Sequence, residues 1–116
     1  MKLIILESPF AGDVEKNRRY ACLCMRDCLM RDEAPFASHL LYAQEGVLKD
    51  NIPEERKLGM EAGFAWGLVA DATAVYTDLG VSEGMRAGIQ RAETAGHLVY
   101  RRTLPAELLA ELLASP

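Results

Sequence analysis

Short, continuous apolar runs alternate with longer stretches of helical period along this chain. Residues 2–6 (Lys2-Leu3-Ile4-Ile5-Leu6) are almost unbroken in apolar character, the pattern of a strand covered on both faces. Pro9 and Gly12 then break the pattern between Glu7 and Gly12. Asp13 is placed to cap a helix reaching about residue 31, with the stripe Ala21, Cys24, Met25, Cys28 and Leu29. A short second strand is predicted over residues 33–37, and a turn of helix or an irregular loop begins at His39. Residues 45–53 are polar and read as a mobile loop. Pro53 suits a first helical turn, which predicts a helix over residues 54–70. Its main core-facing stripe is Leu58, Ala62, Ala65 and Val69, while Gly59 and Gly63 beside Trp66 predict close packing against another helix. A third strand over residues 72–78 leads to a helix over 82–95 with Met85, Gly88, Ile89 and Ala92 inward, stopped by Gly96. Residues 97–100 make a fourth strand and 105–114 a last helix.

Strands alternating with helices predict an α/β fold, a three-layer sandwich around a small, mostly parallel Rossmann-like or flavodoxin-like sheet. At 116 residues the chain is one domain over positions 1–116. Ligands of such sheets sit beyond the carboxyl ends of the strands. That rule gathers the loops 7–13, 38–52 and 78–83, with 70–72 joining only if the strand order permits.

Charge narrows the function classes. A net charge of -4, with no basic stripe, excludes a general nucleic-acid binder. No apolar run is long enough for a membrane span or a signal peptide. The three cysteines, Cys22, Cys24 and Cys28, fall in one predicted helix without a second pair of ligands, so no metal site and no disulfide framework is expected. That usage fits a reducing cytoplasm. A G-x-G-x-x-G turn is absent after the first strand, so no dinucleotide cofactor is expected, nor any other.

The candidate chemistry sits where the third strand turns into the next helix. Gly80 makes the turn, Ser82 opens the helix, and Gly84 and Met85 form its first turn. Such an end offers unpaired N–H groups and a partial positive charge to an anion. Arg86 is the nearest cationic candidate, with Arg18, Arg19 and Arg56 as others; each also reads as a surface charge. In the first loop, Ser8, Pro9, Phe10 and Gly12 lie at the same sheet edge, Ser8 either donating to a ligand or capping the turn before Pro9. His39 either contacts a ligand or fixes its loop through a backbone carbonyl. Phe10 and Tyr42 are placed to stack on a ring. Among carboxylates, Asp78, Glu83 and Glu7 could serve as acids or bases, against readings as a turn residue, a first-turn charge and a strand-end charge.

The order Leu6-Glu7-Ser8-Pro9-Phe10-Ala11-Gly12-Asp13, Ser38-His39-Leu40-Leu41-Tyr42, Glu54-Glu55-Arg56, Asp71 and Ser82-Glu83-Gly84-Met85 resembles a family of small phage and bacterial proteins, the DUF7768 domain, near DUF4406. That family is in turn similar to the nucleoside 2-deoxyribosyltransferase fold. The transferase resemblance implies a sugar-facing loop at Ser8 to Gly12 and a phosphate at Ser82. It also implies a nucleophilic glutamate six residues after Ser82, where this chain has Gly88. Glu83 is no obvious replacement, lying about 140° around the helix from position 88 by the 3.6-residue period. The resemblance further implies a homodimer or higher homo-oligomer.

Three functions follow as expectations. The first is binding of a nucleotide or nucleotide-derived small molecule, phosphate at the helix start, without the glutamate chemistry, in a role such as sequestering a signal. The second is an N-glycosidic hydrolase or transferase acting on (deoxy)nucleoside monophosphates with a displaced carboxylate, Asp78, Glu83 or Glu7. The third is a protein-interaction module that uses the Gly59, Gly63 and Trp66 face.

Overall fold

The computed structural model describes residues 1–114. Four strands, β1 (Lys2–Glu7), β2 (Glu33–Phe36), β3 (Ala72–Tyr76) and β4 (Leu98–Arg102), form one sheet in the order β2-β1-β3-β4. Every pairing is parallel. Five helices join and flank them: α1 (Val14–Met30), α2 (Ser38–Leu41), α3 (Pro53–Gly67), α4 (Glu83–Thr94) and α5 (Ala106–Ala114). The chain is therefore the expected α/β sandwich, with a sheet wholly rather than mostly parallel.

Alternation along β1 sorts the two faces of the sheet. Ile4 and Leu6 are buried on one side with Ala72, Ala74 and Tyr76. α1 covers that side through Tyr20, Cys24 and Cys28, and α5 adds Leu112. Cys24 and Cys28 are thus core residues and Cys22 is exposed, as the helical stripe predicts; Leu29, the last member of that stripe, is half exposed near the frayed end. On the opposite side Val75, Met85 and Ile89 form a smaller core under α4. Asp13 caps α1, its carboxylate accepting the Lys16 N–H at 3.2 Å.

Polar groups are buried on the α1 side as a connected set. Arg102 donates two bonds to Glu33, at 2.7 and 2.6 Å, and Tyr76 donates to Asp27 at 2.6 Å. The Arg102 guanidinium beside Glu33 holds that carboxyl below the usual range.

One expectation is corrected here and one condition is decided. The stripe Leu58, Ala62, Ala65 and Val69 does not reach the core: Leu58 is 56% exposed, Val69 falls past the end of α3 and is 62% exposed, and no α3 residue is fully buried. The competing face has won instead. Gly59 lies against Leu48 and Tyr42, Gly63 against Ser38, and Trp66 stacks on Phe36. Glycines let the α3 backbone approach α2 more closely than the apolar stripe would. Asp71, in the 70–72 loop, sits at the opposite edge of the sheet from the other loops. Its carboxylate accepts the Leu3 N–H at 2.7 Å, pinning the start of β1.

Candidate functional site

Parallel strands bring the ends of β1 and β2 and the turn after β3 to one edge of the sheet. A cleft of about 320 Å³ opens there. Its floor is Glu7 and Ser8 at the end of β1, its sides are Phe10 and His39, and its far wall is the start of α4 from Ser82 to Met85. Arg56 of α3 closes it from above.

Local sequence explains each placement. Ser82 is the N-cap of α4, its hydroxyl accepting the Met85 N–H at 3.3 Å. The hydroxyl is thereby committed to the cap, which leaves the N–H groups of Glu83 and Gly84 at the helix end for a ligand. Gly84 stands beside Arg56: a methyl group there would make ordinary contact with the Arg56 Nη2, at 3.5 Å. Ser8 is buried, and its hydroxyl pairs with His39 Nε2 at 2.7 Å. Phe10 meets the His39 ring edge-on at 6.2 Å between centroids. Burial pulls the His39 pKa down to about 4, so the imidazole is neutral at pH 7.

Glu7 is the chemical centre of this floor. It ends β1 on the α4 side, and its carboxyl fills the space beside Gly88. A Cβ built on Gly88 would lie 2.5 Å from Glu7 Cδ and 2.9 Å from Oε1, closer still to Oε2. An alanine there would therefore need the Glu7 carboxyl to shift. Burial alone acts on Glu7 and pushes its pKa up to about 8, so it is largely protonated at neutral pH. A neutral acid can donate one hydrogen bond and accept another, and it does not repel an anion beside it.

The predicted residues divide accordingly. Ser8, Phe10, His39, Ser82, Glu83, Gly84 and Met85 line the cleft. Met85 does so while its side chain packs in the small core with Val75 and Ile89. Pro9 is buried in the turn between Ser8 and Phe10. Gly12 takes φ +99° and lines a broader groove of about 900 Å³ between α1, α3 and α4.

Three residues stand apart. Gly80 takes φ +88° in the turn, donating its N–H to the Thr77 carbonyl at 2.9 Å, and Arg86 is on the exposed face of α4. Asp78 is engaged elsewhere: it accepts from the Tyr20 hydroxyl at 2.7 Å and from the Leu104 N–H at 3.0 Å. It ties α1 to the segment that leads into α5.

Arg56 and the pairing of Ser8 with His39 were not distinguished by sequence from ordinary surface and loop residues. Arg56 lies three and seven residues before Gly59 and Gly63, on the face of α3 that packs against α2, and that spacing is the signal for it; its side chain remains exposed. Among the described residues no cluster of side chains suited to a metal ion occurs, and no helix is long and apolar enough to cross a membrane.

Comparison with curated proteins gives no match. A family model, described as a domain of unknown function (DUF7768), matches residues 2–102. That span holds all four strands and the whole cleft, and stops short of α5. The chain therefore belongs to the DUF7768 family.

Proposed function

We propose that the cleft binds a nucleotide or nucleotide-derived small molecule, with its phosphate at the first turn of α4. One observation carries this reading: Arg56 lies against Gly84, so a guanidinium and the free N–H groups of a helix start converge on one spot. Arg and helix ends both favour phosphate, and together they make charge-assisted bonds from two directions. The neutral state of Glu7 supports it: Asp50 and Glu83 also line the cleft, and Glu7 adds no further negative charge beside the phosphate. Phe10 supplies ring surface beside His39. Titration calorimetry with nucleoside 5′-monophosphates should show binding that weakens at least tenfold in Arg56→Met and vanishes in Ser82→Glu. No binding across a broad nucleotide panel would sink the proposal.

Glu7 favours a second reading, cleavage or exchange of an N-glycosidic bond. Its carboxyl fills the space beside position 88, where the transferase resemblance places a glutamate. Asp78 is spent on Tyr20 and Leu104, and Glu83 is solvent-exposed, so Glu7 is the displaced carboxylate to test. Nucleophilic attack needs the ionised form, which dominates only above about pH 8. Free base released from a nucleotide above that pH, and absent in Glu7→Gln, would establish this chemistry; no release would leave binding alone.

The outward apolar stripe of α3 supports a homodimer, since Leu58 and Val69 are otherwise left in water.

A further inference from the structure

The cleft carries a pairing that holding a phosphate does not use. The Ser8 hydroxyl and His39 Nε2 stand 2.7 Å apart on its lining, a nucleophile within hydrogen-bond reach of a base. Ser8 is buried, and Phe10 packs edge-on against the His39 ring. Burial keeps that imidazole neutral at pH 7, so with its hydrogen on Nδ1 it can take a proton at Nε2.

Glu7 and Ser8 are consecutive where β1 ends, and alternation sends neighbouring side chains of a strand to opposite sides. Glu7 reaches Gly88 of α4 and Ser8 reaches His39 of α2, yet both line the same cleft of about 320 Å³. A phosphorus atom seated between them has a nucleophile on one side and an acid on the other. In-line displacement needs that arrangement, because the bond that forms and the bond that breaks lie on opposite sides of phosphorus. No hydrogen bond or charge acts on the Glu7 carboxyl among the described residues; burial is the one influence on it and keeps its proton in place at neutral pH. His39 thus has room for a proton and Glu7 has one to give, the complementary states that acid–base chemistry uses.

We propose that Ser8, His39 and Glu7 hydrolyse the phosphate monoester of the bound nucleotide to nucleoside and inorganic phosphate. This rests on the nucleotide-binding reading above and gives that site a reaction. The Ser8 oxygen attacks phosphorus as its proton passes to His39 Nε2. The bond from phosphorus to the sugar oxygen breaks, and that oxygen takes the proton of the Glu7 carboxyl. Arg56 and the N–H groups at the start of α4 hold the remaining phosphate oxygens. Water then attacks the phosphoserine and gives a proton to the Glu7 carboxylate, while the Ser8 oxygen leaves and recovers its proton from His39. Both groups return to their starting states. The other charged or titratable groups around Glu7 and His39 are Tyr42 after α2, Asp50 ahead of α3, Glu55 and Arg56 from α3, Glu83 and Arg91 from α4, and His97 ahead of β4.

The test incubates the full chain with a panel of ribo- and deoxyribonucleoside 5′-monophosphates and separates the products by chromatography. Nucleoside and phosphate should appear in equal amounts, at a rate that falls above about pH 8 as Glu7 ionises. Cleavage of the N-glycosidic bond by an ionised Glu7 would instead release free base and rise over that range. Ser8→Ala should lose about a thousandfold or more in kcat while its calorimetric affinity for the nucleotide is kept, so that the loss is not one of folding. His39→Gln should slow release by about a hundredfold. Glu7→Gln should also stop nucleoside release. With p-nitrophenyl phosphate, whose leaving group needs no proton, that variant should give a single rapid burst of nitrophenol and a phosphorylated Ser8 peptide by mass spectrometry. A nucleotide that binds without losing phosphate, free base as the product, or release that survives Ser8→Ala would overturn this reaction while the binding reading stands. Failure of every nucleotide to bind would remove the binding reading and this proposal together.

Discussion

Alanine at position 88 is the most direct probe of the acid beside it. Within a helix, Gly→Ala adds roughly 0.8–1 kcal/mol of stability through backbone entropy. Here the new methyl meets Glu7, whose three carboxyl atoms are the nearest neighbours of that position, with Cδ at 2.5 Å. Relieving such a contact costs about 1–3 kcal/mol, because the carboxyl must leave a packed site. Gly88→Ala alone should therefore be neutral to destabilised by about 2 kcal/mol. In a Glu7→Ala background the methyl has room and the full helical gain of about 1 kcal/mol should appear. The two changes should consequently couple by about 1–3 kcal/mol. Urea unfolding of the four proteins, compared at constant slope, measures that coupling. Additivity within ~0.5 kcal/mol would mean that the Glu7 carboxyl does not stand beside Gly88, and the account of the floor would fail.

Four further outcomes follow from the structure. Glu7 keeps its proton in the folded chain up to about pH 8 but releases it near 4.5 when unfolded, so stability should fall as pH rises through that window and level off above it. The slope should reach about 1 kcal/mol per pH unit and disappear in Glu7→Gln, as read from urea midpoints across pH. Arg102→Met strands Glu33 without its cation and should cost about 3–5 kcal/mol in the same assay; a loss below ~1 kcal/mol would refute a working buried pair. Asp78→Ala should expose the Leu104 amide to rapid hydrogen exchange while leaving nucleotide affinity unchanged, whereas lost affinity would return Asp78 to the site. Leu58→Glu should convert a dimer to a monomer by light scattering; an unchanged mass would dismiss the α3 stripe as an interface.

How much of this was legible in the chain depends on the kind of signal. β1 and α4 could be read closely because their burial is dictated by local pattern: Ile4 and Leu6 alternate with Ile5, and Met85, Gly88, Ile89 and Ala92 recur at helical spacing and are all buried. The facing of α3 is not legible in the chain, since two stripes compete on it and period alone cannot weigh apolar area against close backbone approach. Ser82 as a cap follows from residue type before a helix, but its hydroxyl being used up by Met85 does not. Asp78 looked like a loop carboxylate because its partners, Tyr20 and Leu104, are 58 and 26 residues away. Gly88 drew attention as a missing glutamate, yet its explanation lies on another element 81 residues earlier in the chain. Only the strand order β2-β1-β3-β4 brings Glu7 to it.

That Glu7 belongs to a strand and not to a helix has a mechanical consequence. β1 is hydrogen-bonded on both sides, to β2 and to β3, and its start is clamped by Asp71. The acid is thereby mounted on the stiffest part of the molecule. α3, by contrast, packs on α2, on α4 and, through Trp66, on Phe36 of β2, and contributes nothing wholly buried. A ligand entering the cleft therefore meets Glu7 as a fixed edge, set by the sheet and not by the helices around it.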